Sequence, residues 1–149
     1  MAEPAGEIAV ALSHLLDTSV YCQPLKPRPL VTVQERWAAR GDDTLAVSAI
    51  CEAELLYGLE LKKSKSLTAL YEALLKDRLK MLPVDFGVAR HFASLKAWAR
   101  VNGRPLSDFD LLIAATARAH RLTLATLNIR DFRNLPGVAA EDWSQMEGG

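Results

Sequence analysis

The sequence has no apolar run approaching the roughly 20 residues that a bilayer-spanning helix needs, so no such helix is expected. Its opening, MAEPAGE, lacks the basic stretch of a secretory leader, and a cytoplasmic protein is the simple reading. There are two cysteines, Cys22 and Cys51, which make neither a CxxC pair nor a disulfide framework. Three histidines, His14, His91 and His120, show no ligand spacing, so zinc is not expected. GxxxxGK[ST] and GxGxxG are missing, which removes P-loop and dinucleotide-binding chemistry. GxSxG is missing too, and no Cys–His pairing replaces it. No internal repeat or low-complexity segment occurs. Net charge is also lacking: 18 basic residues balance 18 acidic ones, which argues weakly against nucleic acid as a partner.

What remains is 149 residues, half of them apolar, enough for one domain with a proper core. The zero net charge hides a gradient. Between Phe86 and Leu135 stand eight basic residues (Arg90, Lys96, Arg100, Arg104, Arg118, Arg121, Arg130, Arg133) against the acids Asp108, Asp110 and Asp131. Solvated helix faces account for such an excess as readily as a phosphate-binding rim around an acidic pocket does.

Along the chain, Ile8–Leu16 reads as a buried strand ending at Asp17, since parallel strands covered on both faces show continuous apolar runs. Asp17, Thr18 and Ser19 suit a helix start equally well. Prolines at 24, 27 and 29 mark an irregular connection, followed by a helix over Val31–Ala39. Leu45–Val47 is a short strand, and Ser48 caps a helix reaching Leu61. On that helix Ile50, Ala53, Tyr57 and Glu54 share a face, whereas Glu52 and Glu60 read as exposed. Leu67, Leu70, Tyr71, Leu74, Leu75, Leu79 and Leu82 recur at helical spacing as an amphipathic stripe, most simply used in core packing. A short strand falls within Lys80–Val84, and Asp85 caps a helix over Phe86–Asn102 that Gly103 ends. SDFDLLIAATA (Ser107–Ala117) opens a buried helix. Leu122–Thr126 is a buried strand, Leu135–Val138 a last one, and the rest a tail. Residues 1–12 read as an N-terminal extension and 139–149 as that tail, flanking a single domain. Strands alternating with helices in this order predict an α/β fold with a parallel sheet.

In such a sheet the ligand crevice lies beyond the carboxyl ends of the strands. Asp17 ends a strand, Glu54 follows the second strand, Asp110 opens a helix and Asp131 follows a strand, so the four acids are expected to converge. Clustered carboxylates stay ionised only if something positive compensates them. Mg²⁺ or Mn²⁺, hard ions that accept carboxylates and keep waters, are natural candidates. Ser107 with Asp110, and Asp108 in the first turn, are equally explained as helix capping. A non-catalytic interaction module, or a phospho-accepting receiver with acids at strand ends, is the rival reading.

LLDTS (Leu15–Ser19), SAICEAELLYG (Ser48–Gly58), GRPLSDFDLLIAATA (Gly103–Ala117) and TLATLNIRDF (Thr123–Phe132) resemble, in order, the motifs of PIN-domain ribonucleases. More closely they resemble the VapC toxins of bacterial toxin–antitoxin pairs. The resemblance implies a three-layer α/β/α fold and Mg²⁺- or Mn²⁺-dependent cleavage of RNA, often tRNA. It also implies a VapB-like antitoxin and favours a homodimer. By motif, Asp17, Glu54, Asp110 and Asp131 are the metal and catalytic acids, with Thr18, Thr126, Asn128 and Asp108 in support. Arg104, Arg130 and Arg133 are candidate phosphate contacts. The leucine stripe with the Glu54 helix would form a clip for the antitoxin. Ser19 stands where many members have Asn, and Leu127 where many have Arg.

Overall fold

The computed structural model describes residues 11–147. Five short strands, β1 (His14–Leu16), β2 (Leu45–Ser48), β3 (Lys80–Leu82), β4 (Thr123–Thr126) and β5 (Ala140–Asp142), form one sheet. Its order is β3-β2-β1-β4-β5 and every pair is parallel. The apolar runs make sense at once: β1 and β2 are buried along their whole length, as central parallel strands must be. Seven helices complete a three-layer α/β/α fold: α1 (Thr18–Tyr21), α2 (Val31–Arg40), α3 (Ala49–Lys62), α4 (Lys65–Leu74), α5 (Phe86–Val101), α6 (Asp108–His120) and α7 (Ile129–Phe132). Among the described residues no helix is long and apolar enough to cross a membrane. Ile8–Val10, included in the expected first strand, lies outside the described residues.

This order places a topological switch point between β1 and β4, where connections leave the sheet in opposite directions. It differs from the 2-1-3-4-5 order of receiver domains, so the receiver reading loses its fold. The helix starts obey the capping rules. Ser48, Asp85 and Ser107 accept backbone N–H groups from Cys51 (3.1 Å), Val88 (2.9 Å) and Asp110 (3.1 Å).

Three expectations need correction. Leu135–Val138 is not a strand; the edge strand is Ala140–Asp142, inside the segment read as a tail, and Trp143 beyond it is fully buried. The stripe from Leu67 to Leu82 is not one helix. α4 stops at Leu74, a turn through Asp77 (φ 60°) follows, and Leu82 belongs to β3. Most of the stripe is core all the same: Tyr71, Leu75, Leu79 and Leu82 are buried and Leu67 packs against the core, while Leu70 and Leu74 are exposed. Finally, α3 is rotated from its expected phase. It buries Cys51, Glu52, Leu55 and Leu59, while Ala53 and Tyr57 face solvent.

Glu52 is therefore buried. Its two carboxylate oxygens accept the hydroxyls of Tyr21 (2.6 Å) and Tyr71, which ties α1 and α4 to α3. Two donors explain how a carboxylate survives there. Burial and the Glu52 contact both push the tyrosine hydroxyls well above their ordinary value, so they stay protonated as donors.

Candidate metal centre at the switch point

Asp17 caps α1 at the carboxyl end of β1 and is 3% exposed. Its Oδ1 accepts Ser19 Oγ at 2.6 Å and the Val20 N–H at 3.1 Å; its Oδ2 accepts Thr126 Oγ1 at 2.5 Å. Each hydroxyl is held in turn. Ser19 Oγ accepts the Leu127 N–H at 3.1 Å, and Thr126 Oγ1 accepts the Asn128 N–H at 2.9 Å. A hydroxyl that accepts an N–H keeps its own proton free for another acceptor. Two parallel relays thus run from the backbone after β4, through a hydroxyl, to each oxygen of Asp17. They cross the seam between β1 and β4.

The other acids lie around this one. Thr18 Oγ1 donates to Glu54 Oε1 at 2.7 Å, so Thr18 holds Glu54 while Thr126 holds Asp17. Asp110 is half-buried in the first turn of α6, and Asp131 is exposed in α7. Burial pushes the Asp17 carboxyl above its ordinary range; its three hydrogen bonds oppose this, and the Asp110 charge adds to it. Asp110 is raised by burial, opposed by the Ser107 hydroxyl and reinforced by Asp131. The influence of 131 on 110 and of 110 on 17 puts the three in one acidic patch. No ion pair among the described residues involves Asp17, Glu54, Asp110 or Asp131.

Asp108 stands apart from the patch. It is exposed and pairs with Lys96 at 2.8 Å. Asn128 precedes α7 with an exposed side chain, and its N–H serves the Thr126 relay. Arg130 and Arg133 are exposed beside Asp131. Arg104 is occupied: Nη2 donates to the carbonyls of Asp131 (2.9 Å) and Arg133 (3.3 Å), and its guanidinium lies 5.7 Å from the Trp98 ring centroid. It fastens the α7 segment to the end of α5.

The donor set is all oxygen, as a hard divalent ion requires. Among the described residues no three His, Cys, Asp or Glu side chains stand close enough to cage an ion. Two carboxylates with water filling the remaining positions is the usual habit of Mg²⁺ rather than of zinc. A buried, cation-free carboxylate beside a second one fits such an ion.

Sequence reading missed two contributors. Ser19 reads from the sequence as a helix-start residue and as a departure from a family pattern, not as a brace for Asp17, although a hydroxyl two residues after the acid is a signal in itself. Glu52 was assigned to solvent because α3 is apolar nearly all round and leaves its phase undefined.

The PIN domain family matches residues 14–138 of the chain. The tRNA(fMet)-specific endonuclease VapC of Shigella flexneri is 30% identical, the alignment covering 89% of this chain and 99% of that one. Toxin FitB of Neisseria gonorrhoeae is 36% identical over 79% of this chain and 89% of its own. The crystal structure of DNA-bound VapBC from Salmonella typhimurium superposes with a TM-score of 0.77 at 30% identity, covering 89% of this chain and 98% of that chain.

Proposed function

This chain belongs to the PIN-domain family, on the branch of the VapC ribonuclease toxins, and from that premise we propose that it cleaves RNA, tRNA foremost, with Mg²⁺ or Mn²⁺. Asp17 carries the reading: a buried carboxylate beside Asp110, with no cation of its own and with both oxygens braced from across the sheet. Asp17 and Asp110 would hold the ion, with Glu54 and Asp131 completing the site directly or through water. Such an ion supplies a water nucleophile at neutral pH and charge stabilisation on the scissile phosphate.

The chain's own residues do the rest. Ser19 and Thr126 fix the Asp17 carboxylate, so little reorganisation is needed when substrate arrives. Thr18 holds Glu54 at the wall of the site. Asp131, exposed at the mouth, is free to accept a proton from a water. Arg130 and Arg133 flank it and suit phosphate contacts.

A VapB-like antitoxin is the proposed partner. Leu56, Tyr57, Leu61, Leu70 and Leu74 leave α3 and α4 with an exposed apolar surface. Beside it lies a concavity of about 430 Å³, lined in part by Leu25, Leu55, Leu67, Thr18 and Glu54. An antitoxin Arg or Lys entering along it would neutralise the carboxylates. A homodimer and a cytoplasmic setting belong to the same proposal.

The test is cleavage of tRNA by the full chain with Mg²⁺ or Mn²⁺, with EDTA, and in Asp17→Asn and Asp110→Asn. Cleavage should need the ion and fall in both variants; equal activity throughout would sink the reading.

A further inference from the structure

The excess of positive charge between Phe86 and Leu135 has a second concentration away from the acids. Gly87, Arg90, His91, Ser94 and Arg118 line a concavity of about 340 Å³ where α5 packs against α6. Neither arginine has an acidic partner among the described residues. Arg118 is aimed by two weak hydrogen bonds, to the Pro136 carbonyl at 3.2 Å and to Ser94 Oγ at 3.3 Å. Its stem packs against Gly137, where φ is +71° and a Cβ would come within 3.3 Å of Arg118 Cδ. His91 Nδ1 is shut off from solvent with no hydrogen-bond partner. Two guanidiniums sharing a pocket repel one another, and an anion would relieve that.

The pocket's position narrows the choice of anion. Arg118 lies eight residues beyond Asp110 on α6, so the pocket sits about 12 Å along the helix from the acids. Arg100 is also exposed on α5, while Lys96 is neutralised by its pair with Asp108. Over that distance an RNA strand held at the acids can lay a second backbone phosphate in the pocket, which a lone small anion cannot do.

We propose that this pocket is a second phosphate-binding subsite, gripping a backbone phosphate of the RNA substrate away from the bond that is cut. The proposal rests on the ribonuclease reading. It makes Arg90 and Arg118 determinants of substrate size: a structured RNA reaches the pocket, and a fragment spanning only the cleavage site does not.

Two measurements test it. In the first, inorganic phosphate is titrated into the full chain while the His91 ring signals are followed by NMR. A saturable shift that Arg90→Gln weakens is expected; no shift overturns the subsite. In the second, kcat and KM are measured for bulk tRNA and for a short single-stranded oligoribonucleotide, with the parent chain and Arg90→Glu. Arg90 is exposed and unpaired among the described residues, so the fold should tolerate the change, which a thermal melt verifies. KM for tRNA should rise several-fold with kcat unchanged, the oligonucleotide should be unaffected, and the salt dependence of tRNA affinity should flatten by about one unit of log–log slope. An unchanged tRNA KM with phosphate still bound would mean a free-anion pocket and overturn the RNA role. Absence of cleavage by the parent chain would instead overturn the ribonuclease reading, and this proposal with it.

Discussion

At the scale of single residues, the site is a balance between burial and bracing. Ser19 supplies one of the two hydroxyls that fix Asp17, and it alone links Oδ1 to the loop after β4. Removing the partner that orients a metal ligand typically costs about 10- to 100-fold in affinity or activity. Ser19→Ala should lower RNA cleavage by about that factor, with Ser19→Thr retaining more, as initial rates across a Mg²⁺ titration would show. Asp110 allows a test with a different sign. Its carboxyl lies above its ordinary value of 3.8, chiefly through burial, so the folded chain holds the proton more tightly than the unfolded chain does. The stabilising effect is fully present below pH 3.8 and is lost as pH rises through the raised value. In EDTA, Asp110→Asn should therefore melt higher than the parent at pH 7, and the gap should close in acid, while cleavage is lost. Melting curves from pH 4 to 8 (roughly the range over which the fold should tolerate titration) check this.

At the scale of elements, the pattern was legible where one physical cause dominates. The end of β1, β4 and the start of α6 read correctly from continuous burial and capping, although the described residues 11–13, also expected in the first strand, lie ahead of it. Asp17 and Asp110 fall at element starts that the sequence marks clearly, whereas Glu54 lies inside α3 and Asp131 in the short α7, which no sequence signal announces. What was illegible has its own causes. The leucines from 67 to 82 keep helical spacing through a turn, and spacing alone does not show that the chain breaks at Leu75. β5 is an edge strand of Ala140, Glu141 and Asp142, held by its backbone pairing with β4, and has no strand-forming side chains to announce it. The phase of α3 depended on two tyrosines from other elements. Tyr71→Phe tests that clamp: a buried carboxylate losing a donor costs roughly 1–3 kcal/mol, to be read from urea unfolding. Glu54, two residues on, should keep its Thr18 contact, so cleavage should fall less than stability does.

Across the whole molecule, the chemistry sits at the carboxyl ends of the central strands, and much of the bracing sits at the β5 edge. The carboxyl ends carry the uncompensated acids. The β5 edge is stapled to β1 and α2: Glu141 Oε1 accepts His14 Nε2 (2.9 Å), Arg36 Nη2 (3.0 Å) and Trp143 Nε1 (3.2 Å). Arg36 is itself buried and also donates to the carbonyls of Asp142 and Gln145. Glu141→Gln should lower stability by roughly 1.5–3 kcal/mol, the range for hydrogen bonds to charged groups, and leave the rate of RNA cleavage unchanged at temperatures where the variant is folded. Parallel melting and cleavage assays would separate the two effects.

The seam between β1 and β4 divides the chain as well as the sheet. The strands up to β3 lie on one side and β4 and β5 on the other, while Asp17 and Glu54 come from the chain before the end of β3 and Asp110, Thr126 and Asp131 from the chain after it. Neither part holds all four of the proposed acids. Cut in the connection after β3, the protein should become a two-piece lock: each piece is expected to be inactive alone, and cleavage of RNA would report that the pieces have met.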